Sequence, residues 1–245
     1  MSKERYMKTM LFFIFCTILL HFFATAEGYT LKDVLYGLLP VQSYFAVGIT
    51  TNLLSCMRWI WLMLPPVVQA GVVLMQEKQE TYLKIYRFKS YKRWFLMQIR
   101  QLILGTLSYL MVLLVGTAFE QRCVDRQLIV CIGAVGLHIW MLVSILFFFI
   151  HCKQNSFYIL FGIMIAESSL IMIGKNTADM VFLNPALWPM YVRWSLEHNA
   201  NQMTYSCLPE LFISVLLICR IIYKKKEITE YDAVSYTHLT LPTIA

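Results

Sequence analysis

Charge is scarce in this chain. Asp, Glu, Lys and Arg make up 14% of its 245 residues, where a soluble domain carries about 25%. That shortage excludes an ordinary water-soluble globule. A Gly-rich phosphate loop of the Walker type is also missing, so nucleotide is not bound by that route. None of the seven cysteines forms a CxxC pair, and no HExxH string occurs. No catalytic, cofactor-binding or metal-binding residue is therefore nominated. The net charge of +7 could suggest a nucleic-acid partner. Its basic residues, however, sit in short clusters between apolar runs, a pattern that belongs to membrane orientation, so no nucleic acid is expected.

What is present is apolar. Hydrophobic residues make 59% of the chain and aromatic residues 15%. A spanning helix needs about 20 predominantly apolar residues, and its backbone must satisfy its own hydrogen bonds. Six runs are candidates: residues 7–26, 53–75, 101–119, 128–152, 157–174 and 208–223. The expected fold is therefore an all-α polytopic membrane protein with six spans, a multi-pass protein of the plasma membrane whose surroundings are the lipid bilayer. The first run has a rival reading. Lys3, Arg5 and Lys8 precede an apolar core ending Ala24-Thr25-Ala26, like a cleavable signal peptide. Its length and the even span count favour a retained helix.

Lys and Arg set the orientation. Fourteen lie at the N-terminus, after span two, after span four or after span six; six lie in the alternate segments, and Arg220 sits within a span end. Both termini are expected in the cytoplasm. Residues 175–207 then form an outer segment, and its NPALWPMYVRWSLEH string suggests an amphipathic or re-entrant piece. Cys123 and Cys207 both fall outside, where a disulfide is one reading and two thiols the other.

The segment 76–100, QEKQETYLKIYRFKSYKRWFLMQIR, carries seven basic and two acidic residues. Its aromatic and aliphatic residues recur at roughly helical spacing. By composition alone it reads as a basic face held against anionic headgroups. Glu77 and Glu80, followed by Arg87-Phe88-Lys89-Ser90-Tyr91-Lys92-Arg93-Trp94, also resemble the cytoplasmic coupling segment of type-2 ABC exporter permeases. The chain lacks that family's commoner Gly after the second Glu and a Pro before the basic string. The resemblance implies that Glu77, Glu80, Arg87, Lys89, Lys92, Arg93 and Trp94 meet a separate ABC ATPase subunit. It also implies a homodimer or a second permease, in the setting of bacterial bacteriocin, lantibiotic or multidrug export.

Within the spans, Glu167 stands out. A carboxylate in a bilayer costs roughly 3 kcal/mol on insertion scales and faces protein or water. Ser168 and Ser169 are its expected partners. His138 and His21 read more simply as packing residues. Pro65 and Pro66 remove helix hydrogen bonds from span two, and a kink or hinge is expected there.

Three functions follow. The first is a permease subunit without chemistry of its own. The second is a sensor, immunity or scaffold protein that does not transport. The third, an intramembrane enzyme, has least support, because no nucleophile–base motif accompanies His138 and Glu167. Finally, Val234-Ser235-Tyr236-Thr237-His238-Leu239-Thr240-Leu241-Pro242-Thr243 resembles a translated transposase sequencing-library adapter. Residues 233–245 are expected to be non-native and are set aside, and the true chain is expected to end or continue after about residue 232.

Overall fold

The structure is a computed structural model. It describes residues 3–26, 28–37, 49–79, 91–122, 124–152, 156–173, 184–190 and 207–223. The tail from 233, residues 80–90 of the segment 76–100, Cys123 and much of the outer segment lie outside them. Helices are α1 (Lys3–Thr25), α2 (Leu31–Leu35), α3 (Ile49–Gln79), α4 (Tyr91–Gln121), α5 (Arg126–His151) and α6 (Ser156–Ile173). Residues 207–223 form α7. A 3-10 turn spans Pro185–Leu187. Among the described residues there is no strand.

The all-α membrane architecture is present. Among the described residues, four helices are long and apolar enough to cross a bilayer, over Tyr6–Thr25, Cys56–Gln76, Arg93–Gln121 and Arg126–His151. The apolar part of α6, Phe157–Ile171, is shorter. Large apolar side chains face outward along the helices, including Phe15 and Phe22 on α1, Leu107 and Phe119 on α4, and Phe161 on α6. In water such a surface would drive aggregation; in lipid it is the solvent-facing surface.

Helix α3 is the hub and packs on α1, α4, α5 and α6. Helix α5 packs against α3, α4 and α6, and its buried residues include Cys131, Val135, Ile139, Leu142 and Phe147. With Ala134, Met141 and Ser144, which are also buried, they lie all around the helix, as expected of one enclosed by neighbours. Helix α4 begins at Tyr91, ten residues before the apolar run expected from residue 101. Part of the basic segment is thus the first turns of a long helix, which starts in a polar stretch because propagation costs little once the apolar part is helical.

Pro65 and Pro66 lie inside α3, which continues through them. A helical Pro66 has no N–H to give to the carbonyl of Leu62, four residues earlier. The Tyr109 hydroxyl, from α4, donates to that carbonyl at 2.7 Å. Tyr109 is fully buried. The freed carbonyl is thus satisfied by a neighbouring helix, the way proline is tolerated in membrane helices.

A polar layer covers one end of the bundle. Thr30 caps α2, accepting from the Asp33 N–H, while Asp33 accepts from the Thr30 N–H at 2.8 Å. This reciprocal capping box stabilises a helix of only five residues. The Glu120 carboxylate accepts from the Leu31 N–H at 2.8 Å, at the positive end of α2. Lys32 reaches Asp125 at 2.8 Å, and Asp125 also caps α5 through the Leu128 N–H at 2.7 Å. Arg58, buried in α3, lies over the Tyr29 ring at 4.3 Å. Gly37 has φ +69°, and a Cβ there would come within 2.6 Å of Met190, so only glycine fits.

Candidate functional site

The α6 sequence has a single buried stripe at four-residue spacing: Ile159, Ile163, Glu167 and Ile171. One carboxylate therefore stands among isoleucines. On α7 the buried stripe is Glu210, Ser214 and Ile221. Both acidic residues turn toward His138 of α5. The His138 Nδ1 lies 2.8 Å from Glu210 Oε1. Its Nε2 lies 3.3 Å from Glu167 Oε2. The imidazole is fully buried, and the carboxylate side chains are 6% and 1% exposed for Glu167 and Glu210.

His138 stands near the middle of α5, about 18 Å from either end at 1.5 Å per residue. Glu210 is in the first turn of α7. Helix α7 therefore starts beside the midpoint of α5, not at its end. The positive end of the α7 dipole favours negative charge there.

Each ring nitrogen of His138 faces a carboxylate oxygen, but the two contacts differ. The Glu210 contact is a hydrogen bond. At the other, His138 Nε2 and Glu167 Oε2 are both buried without a hydrogen bond. One imidazolium balances one carboxylate, so a fully ionised cluster keeps one negative charge unbalanced.

Glu167 also lines an apolar cleft of about 400 Å³ between α5 and α6, walled by Met141, Leu142, Ile163 and Gly162 and touched by Pro185. The segment behind Pro185 is part of the interior: Ala186, Leu187 and Met190 are fully buried. The Asn184 side-chain amide donates to the Leu170 carbonyl. The part of the outer segment that is described thus returns into the protein.

Several sequence expectations change here. Ser168 donates to the Met164 carbonyl of its own helix at 2.7 Å, and Ser169 is exposed. Neither is the partner of Glu167. Neighbouring positions on a helix point about 100° apart, so Ser168 could not share its stripe. His138 is not a bland packing residue but the centre of the cluster. Glu210 fell inside the sixth run, 208–223, and was not singled out, although a carboxylate at the start of an apolar run after Pro209 was the available signal.

Of the expected coupling residues, Arg93 is exposed. Trp94 is 1% exposed, with its ring 6.4 Å from that of His151, so its indole belongs to the bundle and not to an open docking face. The backbone of Glu77 lies in the last turn of α3 and that of Lys92 in the first turn of α4. Glu80, Arg87 and Lys89 lie outside the described residues. Among the described residues no group of His, Cys, Asp and Glu is arranged to hold a metal ion. No hydroxyl or thiol among them is hydrogen-bonded to the His138 ring or to either carboxylate.

No protein-family model matches this chain, and neither the curated proteins nor the solved structures provide a match.

Proposed function

We propose that this chain is a non-catalytic permease subunit of the plasma membrane, with six spans and both termini in the cytoplasm. A separate ABC ATPase drives it, and a second copy or a second permease completes the pathway. The observation that carries the reading is the buried His138–Glu167–Glu210 cluster, shared by three helices of an apolar bundle. Ionisable groups at that depth are costly, and they recur in proteins on the paths of ions and substrates. A sensor or scaffold has no need of a cleft ending on a carboxylate. The basic segment 76–100 supplies the contact with the ATPase through Arg87, Lys89 and Arg93.

The test is co-purification. An ATP-hydrolysing subunit should accompany the tagged chain from its host membrane. The triple variant Arg87→Glu/Lys89→Glu/Arg93→Glu should lose it while the chain still inserts. Retention of the ATPase by that variant contradicts the docking role of the segment. Cysteine labelling from each side tests the orientation: residues near 88 should react only from the cytoplasm and residues near 195 only from outside.

A further inference from the structure

We propose that the cleft between α5 and α6 binds a lipophilic monovalent cation, with the charge of the ligand against Glu167. This deepens the permease reading by naming a substrate class, and it rests on that reading for the word substrate.

Three observations converge. The cleft lining is apolar apart from Glu167 among the described residues, with Gly162 and Ala166 leaving room along α6. An apolar body of matching size gains from leaving water. Second, Glu167 meets His138 as an ion pair alone, its Oε2 3.3 Å from Nε2 without a hydrogen bond, while His138 completes a hydrogen bond with Glu210 at 2.8 Å. Third, two carboxylates face a single imidazole, so the cluster when fully ionised lacks one positive charge. A buried carboxylate that shares its one cationic partner with a second carboxylate is stabilised by a further cation brought to it.

The same features exclude other occupants. A small hydrated metal ion needs several oxygen ligands to replace its water, and among the described lining residues no side chain but Glu167 offers one. An anion would meet carboxylate and hydrocarbon. A neutral apolar molecule would fill the walls but leave the charge unbalanced.

The experiment is equilibrium dialysis of the purified full chain in lipid nanodiscs with labelled tetraphenylphosphonium. Tetraphenylborate, of the same shape and opposite charge, is the control. Saturable binding of the cation and none of the anion is expected. Glu167→Gln should weaken it roughly tenfold or more, as for loss of a desolvated charge partner. Gly162→Leu should weaken it comparably while leaving His138, Glu167 and Glu210 intact. A Cβ at Gly162 meets nothing within 4 Å, so this variant should fold. Equal binding of the borate, absence of saturation, or undiminished binding by either variant overturns the proposal. No ATPase is needed for this measurement. Absent binding with the ATPase still co-purifying would overturn the cation site and leave the permease reading. Binding that persists without an ATPase partner would do the reverse.

Discussion

Two polar regions of this molecule differ in how their charges are matched. At the end covered by α2, each acid has a donor. Asp33 holds Thr30, Glu120 holds the Leu31 N–H, and Asp125 holds Lys32 and the Leu128 N–H. These groups are partly exposed. In the middle of the bundle, His138 faces two carboxylates and completes a hydrogen bond with one. The first region does what caps and surface pairs do: it ends helices and docks them. The second costs desolvation energy and, when fully ionised, leaves one charge over, which a structural role does not require. A matched polar layer is thus architecture, whereas an unmatched buried cluster marks a place where another charge is received.

The sharpest way to break this contrast is to remove the centre of the cluster. His138→Leu leaves two buried carboxylates facing each other without a cation. A loss of about 3–5 kcal/mol is expected, as for breaking a buried ion pair, read as a fall in unfolding temperature in detergent. A smaller effect should follow at the proline pair. Tyr109→Phe strips the Leu62 carbonyl of its donor and should cost about 1–3 kcal/mol. In a Pro66→Ala background, where an N–H is restored, the same change should cost less. Equal cost in both backgrounds would detach Tyr109 from the proline defect.

The outer layer should respond more weakly. Thr30→Ala removes the cap of α2 and should cost about 1 kcal/mol, measured by thermal unfolding. The smallest effect is expected from pH. The hydrogen bond from Lys32 and then that from the Leu128 N–H hold the Asp125 carboxyl below its ordinary value. A lowered folded value means its contribution is present above the unfolded carboxyl pKa, about 4, and is lost as pH falls through the folded one. On the alkaline side, the Asp125 hydrogen bond raises Lys32, and burial pushes the Tyr36 phenol up to about 12. Both contributions are present below the unfolded values near 10 and are lost as pH climbs through the raised ones. A shallow stability plateau between these limits is expected, and Asp125→Asn should flatten its acid edge. High salt should also weaken this layer and leave the buried cluster unmoved.

Much of the helical pattern was legible from hydrophobicity alone. The run expected at 128–152 is α5 at Arg126–His151, and that at 157–174 is α6 at Ser156–Ile173. Long apolar runs report helices well because few other structures bury so much backbone in hydrocarbon. Helix α2 was missed, since five residues carry no period, yet Thr30 and Asp33 hold a capping-box spacing that marks a helix start. The polar cluster was only half legible. Glu167 drew attention because a carboxylate in a bilayer needs a reason. That its partner would be His138, and that Glu210 would join from 72 positions along the chain, depends on which helices are neighbours. Hydropathy carries no information on that point. The mistaken choice of Ser168 came from treating nearness in sequence as nearness in space.

The most direct measurement joins stability and binding in one variant. His138→Leu/Glu167→Met/Glu210→Met replaces the whole cluster with apolar groups of similar size. If the cluster receives a charge rather than holding the fold, the unfolding temperature should stay the same or rise, because exchanging a buried ionic group for packed hydrocarbon is neutral or stabilising by about 1–4 kcal/mol. Tetraphenylphosphonium binding should vanish. A marked drop in unfolding temperature, or cation binding equal to that of the natural chain, would contradict it.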